Sequence, residues 1–216
     1  MTSEPRAGRL DSNVATGRGD DGTTGLLYGG ERISKDDPRT EAYGTIDEAV
    51  AALGIARAEL GVKAQYGTLP QGLAGLADLI LRLQRELFAV AAELATTPEA
   101  WDRQRDGTTR VSAEMVAGIE ALLTEMEPAI TMPREFIVPG ETRTSAAIEL
   151  ARTILRRAER RCVTLDRDGL IPGTHLLPYL NRLADLLWVL ARAAEQAEAR
   201  PATPARTSRP RRRNEP

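Results

Sequence analysis

A run of arginines in the second half of the chain is the strongest candidate for chemistry. The segment 152–161 reads RTILRRAERR, and its six charged residues are Arg152, Arg156, Arg157, Glu159, Arg160 and Arg161. On a helix, residues three and four apart share a face, so Arg152, Arg156 and Glu159 lie together and Arg160 continues the line. Clustered guanidinium groups bind polyphosphates through paired hydrogen bonds. A solvated helix face is the alternative interpretation.

Glycines, threonines and a lysine near the N-terminus form a second candidate, an anion-binding loop. Residues 16–25 read TGRGDDGTTG, and residues 29–38 read GGERISKDDP. Glycine lets backbone N–H groups approach a phosphate, threonine hydroxyls add donors, and Lys35 adds a positive charge. Four aspartates in these segments could bind Mg²⁺ or sugar hydroxyls: Asp20, Asp21, Asp36 and Asp37. The segment is neither a P-loop nor a dinucleotide fingerprint, and a flexible N-terminal segment without a ligand is the alternative.

Two polar residues on other predicted helices are weaker candidates. Asp47 and Glu48 lie near the start of the first long helix, where the helix dipole favours acids. That explanation is sufficient for Glu48, whereas Asp47 could also pair with an arginine of another helix or subunit. Asn181 lies among leucines in YLNRLADLLW, and a buried amide is costly unless it is hydrogen-bonded. Asn181 is therefore a candidate for a ligand or for a polar network.

The elements that must position these residues are helices. Apolar residues recur at three- and four-residue intervals, which predicts helices at 40–63, 112–127 and 142–167. Two further apolar stripes extend from Leu73 to Leu94, with Phe88 included, and from Leu176 to Ala194. Segments rich in proline and glycine separate these helices, and strand signals are nearly absent. The fold class is therefore all-α, a five-helix up-and-down bundle with an irregular N-terminal nucleotide-binding segment.

The composition excludes several classes of protein. Cys162 and His175 are the only cysteine and histidine, which excludes a disulfide framework and a Cys/His zinc site. No apolar stretch is long enough for a membrane span, and the N-terminus lacks a signal-peptide core, so we expect a soluble, cytoplasmic protein. Outside residues 201–216 the chain holds 24 basic and 30 acidic residues, so this part is not an obvious nucleic-acid binder, whereas residues 201–216 could contact anions.

The chain divides into three predicted regions. Residues 1–15 are expected to be a disordered N-terminus, and residues 16–200 one helical domain. Residues 201–216 contain five arginines and four prolines, a composition that cannot build a core. We therefore expect a disordered Pro/Arg-rich tail.

Five segments together resemble a known family. GDDGTTG, ERISKDDPRTEAYGTIDE, FIVPGE, ARTILRRAERR and YLNRLADLLWVLAR resemble, in order and spacing, the ATP:cob(I)alamin adenosyltransferases of the propanediol-utilisation (PduO) type. The resemblance implies a five-helix bundle that assembles as a homotrimer and binds ATP, with Mg²⁺, at subunit interfaces. It also implies transfer of the 5′-deoxyadenosyl group to cobalamin in its cob(I) form, with release of triphosphate. A flavoprotein reductase and an adenosylcobalamin-dependent mutase would be partners.

The resemblance also implies a role for each candidate residue. The N-terminal residues that would wrap the nucleotide are Thr16, Gly19, Asp20, Gly22, Thr23, Thr24, Gly25 and Lys35. The triphosphate and its Mg²⁺ would be held by Arg156, Arg157, Glu159, Arg160 and Asn181. Asp47 and Arg152 match a cross-subunit ion pair near the corrin. Phe136 matches an aromatic residue that blocks the lower axial face of cobalt, so the residues implied in catalysis are Arg156, Asp47, Arg152 and Phe136.

Three positions depart from the family pattern. Gly17 stands where a basic residue is common, Glu141 replaces the second glycine of PGG, and Glu149 stands where a histidine is common. These departures leave open a nucleotide-binding trimer that stores or delivers adenosylcobalamin, or regulates a partner, without efficient catalysis. A purely structural bundle is a third interpretation, although it does not account for the N-terminal loop together with the arginine helix.

Overall fold

Five long helices form the body of the protein in the computed structural model, which describes residues 14–206. They are α1 (Pro38–Gln65), α2 (Leu76–Leu94), α3 (Ala113–Met126), α4 (Arg143–Arg167) and α5 (Leu176–Ala197). Three short 3₁₀ helices lie at Gln71–Leu73, Pro98–Arg103 and Glu127–Ala129. Helix α4 packs against both α1 and α5, while α2 packs on α1 and α3 on α5. The predicted all-α five-helix bundle is confirmed.

Local capping chemistry sets where the helices begin. The Asp37 carboxylate accepts a hydrogen bond from the Arg39 N–H (2.8 Å), directly before Pro38 at the first position of α1. Thr142 and Ser145 form a reciprocal capping box at the start of α4. The Ser112 hydroxyl accepts from the Met115 N–H at the start of α3. The predicted starts of these three helices therefore lie within two residues of the observed ones.

Small and branched apolar residues fill the interior of the bundle. The faces of α1 and α4 that meet are rich in alanine, which lets the two helices approach closely: Ala42, Ala49, Ala52, Ala56, Ala147, Ala151 and Ala158 are all buried. One residue of the predicted stripe on α2 was placed wrongly, because the Phe88 side chain is 62% exposed. Phe88 follows the buried Leu87 by one position, which turns its side chain about 100° around the helix and away from the core.

The irregular N-terminal segment contains a small hairpin. Strands β1 (Thr23–Thr24) and β2 (Ile33–Ser34) pair antiparallel, with Thr23 opposite Ser34. The Leu27 N–H donates to the Ala95 carbonyl oxygen (2.9 Å), which attaches the segment to the end of α2. The N-terminal segment that the sequence predicts to be irregular thus contains a hairpin, and the segment is hydrogen-bonded to the bundle.

The start of the C-terminal tail differs from expectation. Strand β4 (Thr203–Pro204) pairs antiparallel with β3 (Ile137–Val138), so part of the region predicted to be disordered from residue 201 is ordered. Composition did not reveal this, because the strand depends on a backbone partner more than 60 residues away. The expectation for residues 1–13 and 207–216 lies outside the described residues.

Candidate functional site

A cleft of about 630 Å³ opens beside α4. One wall is the loop 133–139, and the other comes from α4 and α5 and includes Arg152, Arg156 and Trp188. The Phe136 side chain is 88% exposed at this cleft, an unusual placement for a large apolar ring. The structure thus brings together three residues that the resemblance implied in catalysis: Phe136, Arg152 and Arg156.

Buried charges support the wall of this cleft. The Glu149 carboxylate is 4% exposed and lies between two guanidinium groups, with the Arg152 Nε at 2.7 Å and the Arg192 Nη2 at 3.3 Å. Arg192 is 1% exposed and also pairs with Glu195 at 2.8 Å. Burial raises the pKa of the Glu195 carboxyl above its ordinary value. Two carboxylates and two guanidinium groups therefore form one ion network that ends at Arg152 in the cleft.

Sequence reasoning missed most of this network. The signal that could have revealed Arg192 and Glu195 is their spacing of three residues within an apolar helix face. The sequence marks Glu149 only as a departure from the family pattern. The Arg192 guanidinium also lies 5.5 Å from the centre of the Trp188 ring, which lines the cleft.

The remaining arginines of α4 separate into two groups. Arg157 forms an ion pair with Glu48 of α1, and Arg161 pairs with Glu41 of α1 at 2.7 Å. Arg156 and Arg160 are exposed and form no ion pair among residues 14–206. Of the arginines predicted to bind the triphosphate, Arg156 and Arg160 are thus the two whose charge is not neutralised by an ion pair among the described residues.

A carboxylate, Glu159, and an amide, Asn181, lie on the same surface as Arg156 and Arg160. The Asn181 Nδ2 of α5 donates to the Glu159 Oε1 of α4 at 3.4 Å. Glu159 is three residues from Arg156 and adjacent to Arg160. The structure therefore assembles Arg156, Glu159, Arg160 and Asn181 on one surface, while Arg157 contacts α1 instead.

The N-terminal loop is compact around Lys35. The Lys35 Nζ lies so close to Gly19 that a Cβ at residue 19 would come within 2.9 Å of it. The Lys35 N–H bonds the carbonyl oxygen of Gly22, whose φ of +79° favours glycine. Hydrogen bonds from Thr23 lower the pKa of the Asp21 carboxyl. The structure thus brings Thr23, Gly22, Gly19 and Lys35 together.

Arg32 fixes this loop and was missed by the sequence reasoning. Its guanidinium donates to the Thr23 hydroxyl (2.7 Å), the Thr23 carbonyl oxygen (2.8 Å) and the Arg18 carbonyl oxygen (2.9 Å). These contacts join both strands of the hairpin to the turn before it. The other predicted loop residues, Thr16, Asp20, Thr24 and Gly25, lie in or beside this turn and hairpin.

Within the described part of one chain, the N-terminal loop does not bond to Arg156 or Arg160 of α4. Within residues 14–206, no hydrogen bond or ion pair joins the segment 16–35 to the predicted phosphate ligands of α4 and α5. Asp47 is exposed and forms no ion pair in the same range, so it does not meet Arg152 within the chain.

Comparison with known proteins decides the family. Residues 14–194 match the family model described as cobalamin adenosyltransferase. The chain belongs to this family. A corrinoid adenosyltransferase of Citrobacter freundii is 35% identical over 182 residues, which cover 84% of this chain and 94% of that protein. Another from Bacillus subtilis is 37% identical over 180 residues, covering 82% and 83% respectively.

The PduO type is supported by both sequence and structure. The PduO corrinoid adenosyltransferase of Salmonella typhimurium is 36% identical, and this adenosyltransferase chain spans about half (49%) of its length. A PduO-type ATP:corrinoid adenosyltransferase variant from Lactobacillus reuteri, complexed with cobalamin and ATP, superimposes with a TM-score of 0.75 at 28% identity. The superposition covers 90% of this chain and 100% of that one. A second variant, complexed with ATP, gives a TM-score of 0.74 at 27% identity, covering 89% and 100%.

Proposed function

We propose that this adenosyltransferase transfers the 5′-deoxyadenosyl group of ATP to cob(I)alamin and releases triphosphate. The observation that carries this proposal is the joint position of Phe136, Arg152 and Arg156 on one cleft. An exposed aromatic ring suits the flat corrin, and adjacent guanidinium groups suit a polyphosphate. The cleft therefore offers one surface for each of the two substrates.

The transfer step is a displacement at carbon. The cobalt(I) electron pair forms a bond to C5′ of ATP, the C5′–O bond breaks, and triphosphate leaves with that bond's electrons. Because cob(I)alamin is itself the nucleophile, no general base is needed, and the protein aligns the substrates and stabilises the leaving group. Arg156 and Arg160 supply this stabilisation, since neither is neutralised by an ion pair among the described residues.

Phe136 acts on the corrin side of the cleft. Its ring would cover the lower axial face of cobalt and exclude a ligand there. Four-coordinate cob(II)alamin is easier to reduce, because loss of the axial ligand lowers the orbital that accepts the electron. The network of Glu149 and Arg192 holds Arg152 beside this position.

A Mg²⁺ ion that accompanies the nucleotide fits the outer face of α4. No three His, Cys, Asp or Glu side chains converge as a metal site between residues 14 and 206, so protein ligands alone would not hold it. Mg²⁺ is commonly bound through one or two carboxylates and substrate phosphates, and Glu159 with Asn181 offers that contribution. When bound, the ion would neutralise charge on the triphosphate.

The active enzyme is proposed to be a homotrimer with composite sites. Among residues 14–206, no hydrogen bond or ion pair joins the loop around Lys35 to Arg156 or Arg160 of α4, and Asp47 is exposed. A neighbouring subunit would bring its loop to Arg156 and its Asp47 to Arg152. A closed ring of identical subunits repeats such a head-to-tail contact at every interface.

Mixing two inactive variants tests the composite site. Lys35→Ala and Arg156→Ala each damage one half of the site, so each homotrimer should lose most of its activity. If the variants are unfolded and refolded together at equal amounts, about a quarter of the sites receive two intact halves. Activity near that fraction of the unmodified enzyme supports the proposal, whereas no recovery beyond the separate variants contradicts it.

Catalysis itself is tested with chemically reduced cobalamin. The purified protein is incubated with ATP, Mg²⁺ and cob(I)alamin, and the absorbance change of Co–C bond formation is followed. Repeated turnover supports the enzyme. ATP binding without turnover would instead indicate a protein that stores or delivers adenosylcobalamin.

The chemistry also defines the partners that we propose. Cob(I)alamin is strongly reducing, so a reductase of the flavoprotein class would supply it. An adenosylcobalamin-dependent mutase would receive the product. Because the reaction consumes ATP, we place it in the cytoplasm.

A further inference from the structure

The chain that follows α5 returns to the loop that carries Phe136. Ala199 adopts a φ of +54°, and the Arg200 N–H donates to the Glu195 carbonyl oxygen (2.9 Å), which closes a turn at the end of α5. Residues 203–205 then lie beside residues 136–138. This segment is called the C-terminal strap (residues 203–205) below.

The strap contacts the backbone at Phe136 itself. In the pairing of β3 with β4, Ile137 lies opposite Pro204 and Val138 opposite Thr203. The Ala205 N–H donates to the Phe136 carbonyl oxygen at 2.7 Å. Because these contacts fix the backbone of residue 136 and of the two residues after it, they fix the direction in which the Phe136 ring projects.

A side chain of α5 holds the other end of the same loop. The Gln196 Oε1 accepts from the Thr131 N–H (2.9 Å), and the Gln196 Nε2 donates to the Thr131 carbonyl oxygen (2.8 Å). For residues 132–141, which link Thr131 to the capping box of α4, the hydrogen bonds to other described segments are those made with the strap. The loop has little apolar burial of its own, so its shape depends on these two attachments.

We propose that the C-terminal strap is a positioning element that sets where the Phe136 ring meets the corrinoid. The strap acts through Phe136 and touches no substrate. That the ligand is a corrinoid rests on the proposed function. That the strap holds the loop rests on the observed hydrogen bonds alone. It assigns a role to a segment whose composition predicts only a disordered tail.

Two truncations separate the strap from the rest of the tail. One chain ends at Arg206 and retains every described strap contact, and the other ends at Arg200 and lacks the strap. Amide hydrogen exchange is measured over residues 131–139 without any substrate. The chain ending at Arg206 should match the full chain, whereas the chain ending at Arg200 should exchange about tenfold faster in this loop. Equal exchange in all three chains would overturn the proposal.

A point variant removes one contact without shortening the chain. Ala205→Pro deletes the N–H that bonds Phe136, and Ala205→Ser at this exposed position is the matched control that keeps it. Proline should speed exchange at Ile137 and Val138, and serine should leave it unchanged. Unchanged exchange in Ala205→Pro would show that the strap does not hold the loop.

The spectrum of bound cob(II)alamin reports the position of Phe136. With ATP present, loss of the strap should lower the fraction of four-coordinate cob(II)alamin and reduce kcat about tenfold, while the affinity for ATP stays unchanged. Faster loop exchange with an unaltered spectrum would overturn the positioning role. If the full chain binds no corrinoid, the proposed function fails, and the exchange comparison still decides whether the strap holds the loop.

Discussion

The Asn181 amide on α5 donates to the Glu159 carboxylate on α4, with Nδ2 and Oε1 3.4 Å apart. This contact crosses from one helix to the next and places a polar pair beside Arg156 and Arg160. An asparagine in a leucine-rich helix thereby faces outward at the α4–α5 groove, where a nucleotide can reach it. The arginine face is therefore part of a two-helix surface.

Replacement of Arg156 tests the leaving-group contact. Arg156→Ala should lower kcat/KM for adenosylation by about two orders of magnitude, since loss of one oxyanion donor costs roughly 3 kcal/mol of transition-state stabilisation. Arg167→Ala removes another exposed arginine at the end of α4 and is the matched control. Near-normal kcat/KM in Arg156→Ala, measured on assembled protein, would count against the assignment.

A methyl group at Gly19 tests the loop around Lys35. A Cβ there would lie 2.9 Å from the Lys35 Nζ and 3.2 Å from the Thr23 carbonyl oxygen, so Lys35 must move. We expect Gly19→Ala to weaken ATP binding about tenfold, because one charge-assisted contact is worth about 1.5 kcal/mol. Gly61→Ala adds a methyl group in open space and should bind ATP normally. Equal Kd values by calorimetry would remove Lys35 from the nucleotide site.

Removal of the Glu149 carboxylate tests the buried ion network. Glu149→Ala leaves the buried Arg192 guanidinium with Glu195 as its remaining ion-pair partner among the described residues, and it leaves the partly buried Arg152 guanidinium with none. The free energy of unfolding should fall by about 3–5 kcal/mol, as measured by urea denaturation. Arg143→Ala breaks the exposed ion pair with Glu59 and should cost less than about 1 kcal/mol. A similar small loss in Glu149→Ala would show that the network does not stabilise the cleft wall.

The pH dependence of stability should reveal Glu93. This side chain is 1% exposed at the end of α2, and burial raises the pKa of its carboxyl from 4.5 to about 7. As the pH rises through this window the unfolded chain loses the Glu93 proton first, so the folded state is progressively disfavoured. The loss should reach roughly 3 kcal/mol above neutral pH.

Glu93→Gln isolates this contribution. The variant should lack the decline between pH 4.5 and about 7 that the unmodified protein shows. Urea denaturation at several pH values measures the difference, and Glu125→Gln at an exposed site is the control. Parallel pH profiles for the Glu93→Gln variant and the unmodified protein would contradict the raised pKa.

Features set by local chemistry could be predicted from the sequence. Side chains such as Asp37 and Thr142 cap helices through neighbours two or three residues away, so the helix starts were readable. The shared face of Arg156 and Glu159 follows from helical spacing alone. The helical bundle and the helix that carries the arginines could therefore be predicted from the sequence.

Features that depend on contacts between distant segments could not be predicted. Glu149 meets Arg192 only because α4 and α5 pack in one particular register. Arg157 has the same sequence character as Arg156, but it faces Glu48 of α1. Strand β4 exists as the partner of β3, and its two residues, a threonine and a proline, are too few to show the alternating pattern of a strand.

Product analysis of a single turnover shows whether this chain moves the 5′-deoxyadenosyl group from ATP to cobalt. Excess protein is mixed with ATP, Mg²⁺ and a limiting amount of cob(I)alamin, and all products are quantified. One adenosylcobalamin and one triphosphate should form for each corrinoid consumed. Release of ADP or orthophosphate in place of triphosphate, or the absence of a Co–C bond, would contradict it.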